Sequence, residues 1–509
     1  MTMNIDADAR PARRRSIISD AVPRLPWLVM AGLFLLAMVV RHVVADSTDI
    51  SWLLIAGERL LDGQRLYLDI IEVNPPMAVL VYIPGMLLGR ALGLPAERVV
   101  DGLMLAAVAV SLALVGRILR KSSVLEVGRG WPLAWLAAAS LTIMPTEVFA
   151  QREHIAVVEM LPALAILAMR MNREHPPRWA TVIAGIGLGL SLSFKPYFAI
   201  ALLCCVGALA LRQKSWQIIF APEFWIAAAV VGGYVASIQP LFPAYFTVIW
   251  PMARDVYVPI GMPMSELLQR PILLVWALAL LAALALARMR CRAADANFLL
   301  LFSLSIGFAI VFFVQRKGWP YHAFPMTVFA MLAFGYATGC ATDRAVPDRS
   351  MAIAALLALA VLFCQAALCF NVAFDARPLQ AIVARYGPHP KILTISGEPG
   401  IGHPMTRALG GTSVSREPMI WVAAYGRYLS QHGSPDPKML ATLERHAATE
   451  RQWLIEDIRK TPPTVVLIDN LTDHWGSWLR SYPDIADLLK DYRLADTFDR
   501  VDVLVKRAD

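Results

Sequence analysis

Between residues 25 and 370, apolar runs of 15–20 residues recur, separated by short charged loops. Runs such as Leu273–Ala287 show no polar–apolar alternation, which excludes membrane β-strands and predicts helices. The expected spans are Leu25–Val44, Val99–Val115, Leu133–Phe149, Ile155–Met169, Trp179–Phe194, Tyr197–Leu211, Phe224–Ile238, Pro271–Ala287, Phe298–Val314, Ala323–Thr338 and Met351–Phe370. Several fall short of the roughly 20 residues of a straight crossing, so their ends extend into the flanks. Pro76–Leu88 is read as interfacial or re-entrant. Ser51–Leu61 carries apolar residues at helical spacing with Glu58 and Arg59 on the other face, as in a helix lying on the membrane surface. After residue 375 the pattern changes. KILTIS and TVVLID read as buried strands, RLADTF–DRVDVLVKR as a terminal strand pair, and Ile420–Ser430 and Lys438–Arg459 as helices.

Composition sharpens this picture. With 57% hydrophobic and 17% charged residues, the chain is neither a soluble enzyme nor disordered, and repeated spans exclude a single-anchor receptor. Only helices and closed barrels satisfy their backbone in lipid, so the fold class is a polytopic α-helical membrane protein. The net charge of +8 reflects basic residues at helix ends and implies no nucleic-acid partner. With Pro76–Leu88 not crossing, segments before residue 375 assigned to the cytoplasm hold 19 Lys and Arg, including the Arg10–Arg15 run, against 11 outside. The positive-inside rule then gives eleven full crossings with the N-terminus in and the C-terminus out. The first apolar run lacks a small-residue cleavage site and reads as an uncleaved helix. Two domains are expected: a membrane domain over 1–374 and an α/β domain over 375–509. None of the six cysteines lies in the outer loops or the tail, so neither disulfides nor thiolate metal sites are expected.

Ionisable residues crowd the outer face. The segment after the first span carries Asp46, Asp49, Glu58, Asp69 and Glu72. Asp49 has two readings there, as the N-cap of the surface helix or as a reactive carboxylate. A tight turn, Ala150–His154, places Arg152, Glu153 and His154 at the lipid boundary, and Glu159 lies deeper on the same helix. Lys195 ends another span, where it either snorkels or binds an anion. FVQRKGWPYHAFP sets Arg316 and Lys317 beside Trp319, Tyr321 and His322 on the side where positive charge is disfavoured. With Arg152 and Lys195, these cations suit a phosphate at the interface. His154, His322 and the acids lack metal-ligand spacing; no cofactor is expected, with a divalent metal left open. GEPGIG after a strand does not complete a dinucleotide fingerprint.

Asp49 after the first span, the G-x-x-L-Y-x-D run at Gly63–Asp69, Asn74-Pro75-Pro76 and Arg152-Glu153 together resemble the GT-C fold of integral-membrane glycosyltransferases. The likeness is to the protein O-mannosyltransferase and lipid A aminoarabinose transferase branch. It implies inverting sugar transfer from a polyprenyl-phosphate donor to a hydroxyl on a glycan, glycolipid or protein, outside the bacterial inner membrane. It also implies roles: Asp49 and Glu153 as catalytic carboxylates, with Asp46 and Glu72 as alternatives. Lys195, Arg316, Lys317 and Arg152 would hold the donor phosphate, and His154, Tyr67, Trp319, Tyr321 and His322 would contact substrate. A flippase would instead carry its charges near the midplane. A lipid-pyrophosphate polymerase or ligase would be expected to rely on an arginine-rich outer loop, whereas Gln239–Arg270 has only Arg254 and Arg270.

Overall fold

The computed structural model describes residues 24–124, 130–291, 295–341, 349–372, 374–433 and 435–507. Arg10–Arg15, Arg129, Arg292 and Arg344 of the charge count lie outside these residues.

Every expected span contains a helix: Leu25–Val43, Ala96–Leu119, Gly130–Thr142, Arg152–Met171, Arg178–Phe194, Phe198–Gln213, Pro222–Leu241, Pro271–Arg290, Ala296–Gln315, Pro320–Ala341 and Arg349–Cys369. Among the described residues, eight helices are long and apolar enough by themselves to cross a bilayer. Arg152–Met171 and Pro320–Cys340 are the most enclosed, while Leu25–Val43, Pro222–Leu241 and Arg349–Cys369 turn most of their side chains outward from the bundle. Small residues bring the inner helices together. A Cβ at Gly185 or Gly189 would stand 2.6 Å from Ile226 or Val230 of the Pro222–Leu241 helix. Without them the backbones could not approach this closely in lipid. Arg170 and Glu223 join the ends of two helices by a bidentate pair at 2.6 and 2.8 Å.

Two expected segments take a different form. Pro76–Leu88 divides into Met77–Leu80 and Ile83–Leu92, with Pro84 in the first turn of the second helix. The span expected to reach Phe149 stops as a helix at Thr142. Pro145 lacks an N–H and disfavours helical geometry before it, and Thr146 and Ala150 adopt φ of 44° and 59°. The chain therefore leaves the α-helix and reaches Gln151 through turns and a short 3-10 segment, Thr146–Val148. At such depth irregular backbone persists where protein or a cavity satisfies it, and here Arg41 donates to the Thr146 carbonyl at 2.6 Å. Gln151 donates to the Ser47 hydroxyl at 2.6 Å, which puts the first outer segment and this turn on one face.

The surface helix runs over Thr48–Leu61 and is largely buried from Ile50 to Gly57. It is enclosed by the Met77–Leu80 and Ile83–Leu92 helices, as where Gly57 meets Met86, and by the C-terminal domain, as where Trp52 meets His403. In that domain a five-stranded sheet has the order β2-β1-β3-β5-β4, with β1 Lys391–Ile395, β2 Thr412–Ser413, β3 Val465–Asp469, β4 Tyr492–Phe498 and β5 Val501–Lys506. β1 pairs parallel with β2 and β3, whereas β5 is antiparallel to both β3 and β4. The β4–β5 turn puts Asp499 and Arg500 at φ of 44° and 66°, as a tight hairpin requires. Trp421–His432 and Pro437–Lys460 are the two long helices of this domain. It is fastened to the membrane domain by polar contacts. Arg407 bridges Glu58 at 2.7 Å and also pairs with Glu97. Arg59 donates to the Ser413 and Ser415 carbonyls, Ile71 N–H to the Arg416 carbonyl at 2.7 Å, and His446 meets Asp255 at 3.1 Å.

Candidate active site

A cavity of about 460 Å³ lies between the bundle and the C-terminal domain. Its lining comes from the segments around 47–53, 71–74, 147–152, 257–260, 317–321 and 372–374, and from 397–400 and 418–425 of the C-terminal domain. The membrane-domain segments are the ones the charge count assigns to the outer side.

Asp49 stands in the first turn of the surface helix and lines the cavity. The expectation that it caps this helix needs correction. Ser47 occupies the N-cap position, and Asp49 follows it by two residues. No side-chain hydrogen bond caps the helix, since the Ser47 hydroxyl is taken up by Gln151. The Asp49 carboxylate makes no hydrogen bond or ion pair with a described residue, which leaves it free to accept a proton from whatever enters the cavity.

Arg152 opens its helix and is buried, 5% exposed, yet lines the cavity. Its guanidinium has neither an ion pair nor a hydrogen bond among the described residues, and Nε is enclosed without a partner. The carboxylates of Glu153 and Asp49 stand near it, but its hydrogen bonds are unmade, and an anion entering the cavity can complete them. Lys317 supplies a second cation. It donates to the Tyr257 and Ile260 carbonyls at 2.6 and 2.7 Å and lies 4.4 Å from the centre of the Tyr257 ring. Burial, with a smaller contribution from the Lys195 charge, pushes its ammonium down to about 8.

Glu72 also lines the cavity, but its oxygens are already occupied. It accepts from Trp52 Nε1 at 2.8 Å, from the Asn74 N–H at 2.9 Å and from Asn74 Nδ2 at 2.5 Å. Its place is to hold Trp52 and the Asn74-Pro75-Pro76 turn. Along the other wall, Tyr321, Trp319, Tyr257, Tyr425 and Trp421 form a file of rings with successive centroids 5.7, 6.1, 6.2 and 6.4 Å apart.

Other expected residues lie elsewhere. Glu153 and Lys195 are directly paired behind the Arg152 wall, with His322 Nε2 2.7 Å from the Lys195 ammonium. All three are withdrawn from the cavity lining, because each buried charge is answered by the other. His154 is buried between Phe149 and Phe324 and accepts the Ala150 N–H at 2.9 Å, which shapes the turn. Tyr67 is buried at φ 74°, and its hydroxyl donates to the Asn74 carbonyl at 2.8 Å; it pins the first outer segment. Arg316 turns outward and donates to the Met262 carbonyl at 3.1 and 3.3 Å. Asp46 faces Arg41 at 3.8 Å, and burial raises its carboxyl above the usual range.

Sequence reasoning missed Glu398, Tyr257, Trp421 and Tyr425, all lining residues. For Tyr257 a signal existed. Tyr245, Ile249, Met252 and Val256 repeat at helical spacing in the stretch read as a plain loop, and they are buried on one face. Glu398 gave no such signal, since only the docking of the C-terminal domain brings it to Asp49. Among the described residues, no group of three or more His, Cys, Asp or Glu is placed to hold a metal.

No protein-family model matches the sequence, and no curated protein matches it. The fold, by contrast, is similar to that of ArnT from Cupriavidus metallidurans. The apo structure of ArnT aligns over 96% of this chain and 98% of that one, with a TM-score of 0.56 and 14% identity. The structure of ArnT bound to undecaprenyl phosphate aligns over 97% of this chain and 99% of that one, with a TM-score of 0.55 and 16% identity. The likeness thus runs from the first membrane helix through the C-terminal sheet, and this integral membrane protein has the GT-C fold of membrane glycosyltransferases.

Proposed function

We propose that the protein is a glycosyltransferase that moves a sugar from a polyprenyl-phosphate donor to a hydroxyl acceptor. The transfer proceeds with inversion, at the periplasmic face of a bacterial inner membrane. The observation that carries this reading is the pairing, in one cavity, of the unengaged Asp49 carboxylate with the unpaired Arg152 guanidinium. The fold supports it, since ArnT with this fold binds undecaprenyl phosphate.

The chemistry follows from those two groups. Asp49 takes the proton of the acceptor hydroxyl, and the freed oxygen pair forms the new bond to the anomeric carbon. The bond from that carbon to the phosphate oxygen breaks on the opposite face, and its electron pair leaves with the polyprenyl phosphate. Arg152 and Lys317 meet the charge that gathers there. Trp319 and Tyr321 offer ring faces to the donor sugar, and Glu72 keeps Trp52 and the Asn74 turn in place. The Glu153–Lys195–His322 cluster supports Arg152 from behind.

The test begins with envelope glycans. Deletion of the gene should remove one glycan modification, read by mass spectrometry, and the wild-type gene should restore it. Unchanged glycans, with no sugar transfer by the purified protein, would refute the reading. Orientation is checked with single cysteines. Gln431→Cys, on the exposed C-terminal domain, should label with an impermeant maleimide in intact spheroplasts, and Lys214→Cys only after lysis. The opposite pattern would place the cavity on the cytoplasmic side.

Lys317 gives the site a pH signature. With its ammonium pushed down to about 8, it loses charge as pH rises through that value. Undecaprenyl phosphate affinity should therefore fall between about pH 7 and pH 9, and Lys317→Arg should flatten the profile because guanidinium stays charged. A wild-type affinity constant over this range would remove Lys317 from the phosphate site.

A further inference from the structure

Eight of the 29 residues that line the cavity belong to the C-terminal domain, and its sheet topology explains why. The chain leaves β1 for β2 on one side and returns to β3 on the other side of β1. At such a reversal the connections after two parallel neighbours diverge, leaving a crevice at their carboxyl ends where open α/β sheets take ligands. In this protein the loop that leaves β1 on that side, Gly397–Gly400, lines the cavity. The loop after β1 is anchored there: Ser396 donates to Asp469, the last residue of β3, at 2.6 Å and accepts the Glu398 N–H at 2.8 Å. Asp469 is fully buried and also receives the Leu471 and Thr472 N–H groups at 2.9 and 3.0 Å.

This anchoring holds Glu398 toward the cavity. One of its oxygens accepts the Gly400 N–H at 3.2 Å, and the other has no partner among the described residues. The residue is accessible, and the space it reaches is the cavity. Gly400 packs against the surface helix, so that a Cβ there would stand 3.8 Å from Thr48 Oγ1, one residue before Asp49. Enclosure by the cavity walls, and the nearby charges of Asp49 and Asp469, raise the Glu398 carboxyl above the ordinary glutamate range. The two carboxylates therefore feel each other across the cavity.

We propose that Glu398, with the rings of Trp421 and Tyr425, forms a subsite for the acceptor, and that this acceptor is a sugar. This proposal rests on the glycosyl-transfer reading and adds to it the acceptor class and the part of the chain that selects it. A carboxylate accepts hydrogen bonds from adjacent hydroxyls, and aromatic rings cover the apolar C–H face of a sugar. A serine or threonine side chain offers one hydroxyl and no ring to match. The division of the cavity fits as well. Arg152 and Lys317 belong to the membrane domain, from which a lipid-borne phosphate arrives, whereas Glu398 belongs to the domain standing above it.

The decisive variant is Glu398→Gln in the full-length chain, because the glutamine carbonyl still accepts the Gly400 N–H and only the charge is lost. A deletion strain complemented with this variant should show at least about tenfold less of the restored glycan modification, the usual loss for one charge-assisted hydrogen bond. The lipid-linked sugar should accumulate, and undecaprenyl phosphate binding by the purified variant should stay within about twofold of wild type. Wild-type glycan levels with Glu398→Gln would overturn the subsite, as would an equal loss of undecaprenyl phosphate binding. If the wild-type gene restores a modified protein and no modified glycan or glycolipid, the sugar acceptor is refuted while glycosyl transfer stands. If it restores neither, the transfer reading itself falls and takes the subsite with it.

Discussion

Asp49→Asn is expected to leave a well-folded protein whose sugar transfer is reduced about a hundred-fold or more, the usual consequence of losing a general base. The structure sharpens this expectation, because the rival explanation for Asp49 has gone. Ser47 sits at the N-cap, so the substitution removes no capping bond. What the helix loses is the favourable placement of a negative charge in its first turn, about 0.3–1 kcal/mol at most. Thermal unfolding in detergent should hardly move while transfer collapses. Asp46→Asn should do much less, since Asp46 faces Arg41 outside the cavity lining. Near-normal transfer by Asp49→Asn would mean that the base is elsewhere.

Arg152→Met should weaken undecaprenyl phosphate binding about ten- to a hundred-fold, corresponding to roughly 1.5–3 kcal/mol for a charged hydrogen bond. Its effect on folding should be small. The guanidinium makes no hydrogen bond, but the carboxylates of Glu153 and Asp49 stand near it, so the desolvation cost removed with the charge is offset by the attraction lost. Lys195→Met makes the contrasting control. It strands the Glu153 carboxylate, 1% exposed, without its cation, and breaking a buried pair in this way costs about 3–5 kcal/mol. Lys195→Met should thus lower the unfolding temperature, whereas Arg152→Met should not. Undiminished lipid binding by Arg152→Met would show that the phosphate sits elsewhere.

Much of the architecture was legible in the sequence because lipid and water impose strong rules on local pattern. Each expected apolar run holds a helix, and the strands at Lys391–Ile395 and Val465–Asp469 and the terminal pair fall where the residues indicated. Burial of the side chains requires these patterns, and they can be read a few residues at a time. The place where Leu133–Phe149 stops being helical was harder to see, although Pro145 marks it, because apolar composition continues past the break.

Which charges face a shared space was decided by the tertiary structure alone. Arg152 and Glu153 are adjacent in sequence, yet one lines the cavity unpaired and the other is consumed by Lys195, 42 residues away. Lys195 and Lys317 looked alike as outer-face cations, but only Lys317 lines the cavity. Glu398 lies 349 residues from Asp49 in sequence and meets the same cavity through the docking of a separate sheet. Hydrophobic periodicity is a local property, enforced on each element by its own solvent. Whether a polar side chain is neutralised or free depends on partners contributed by distant segments, and the folded chain brings those together.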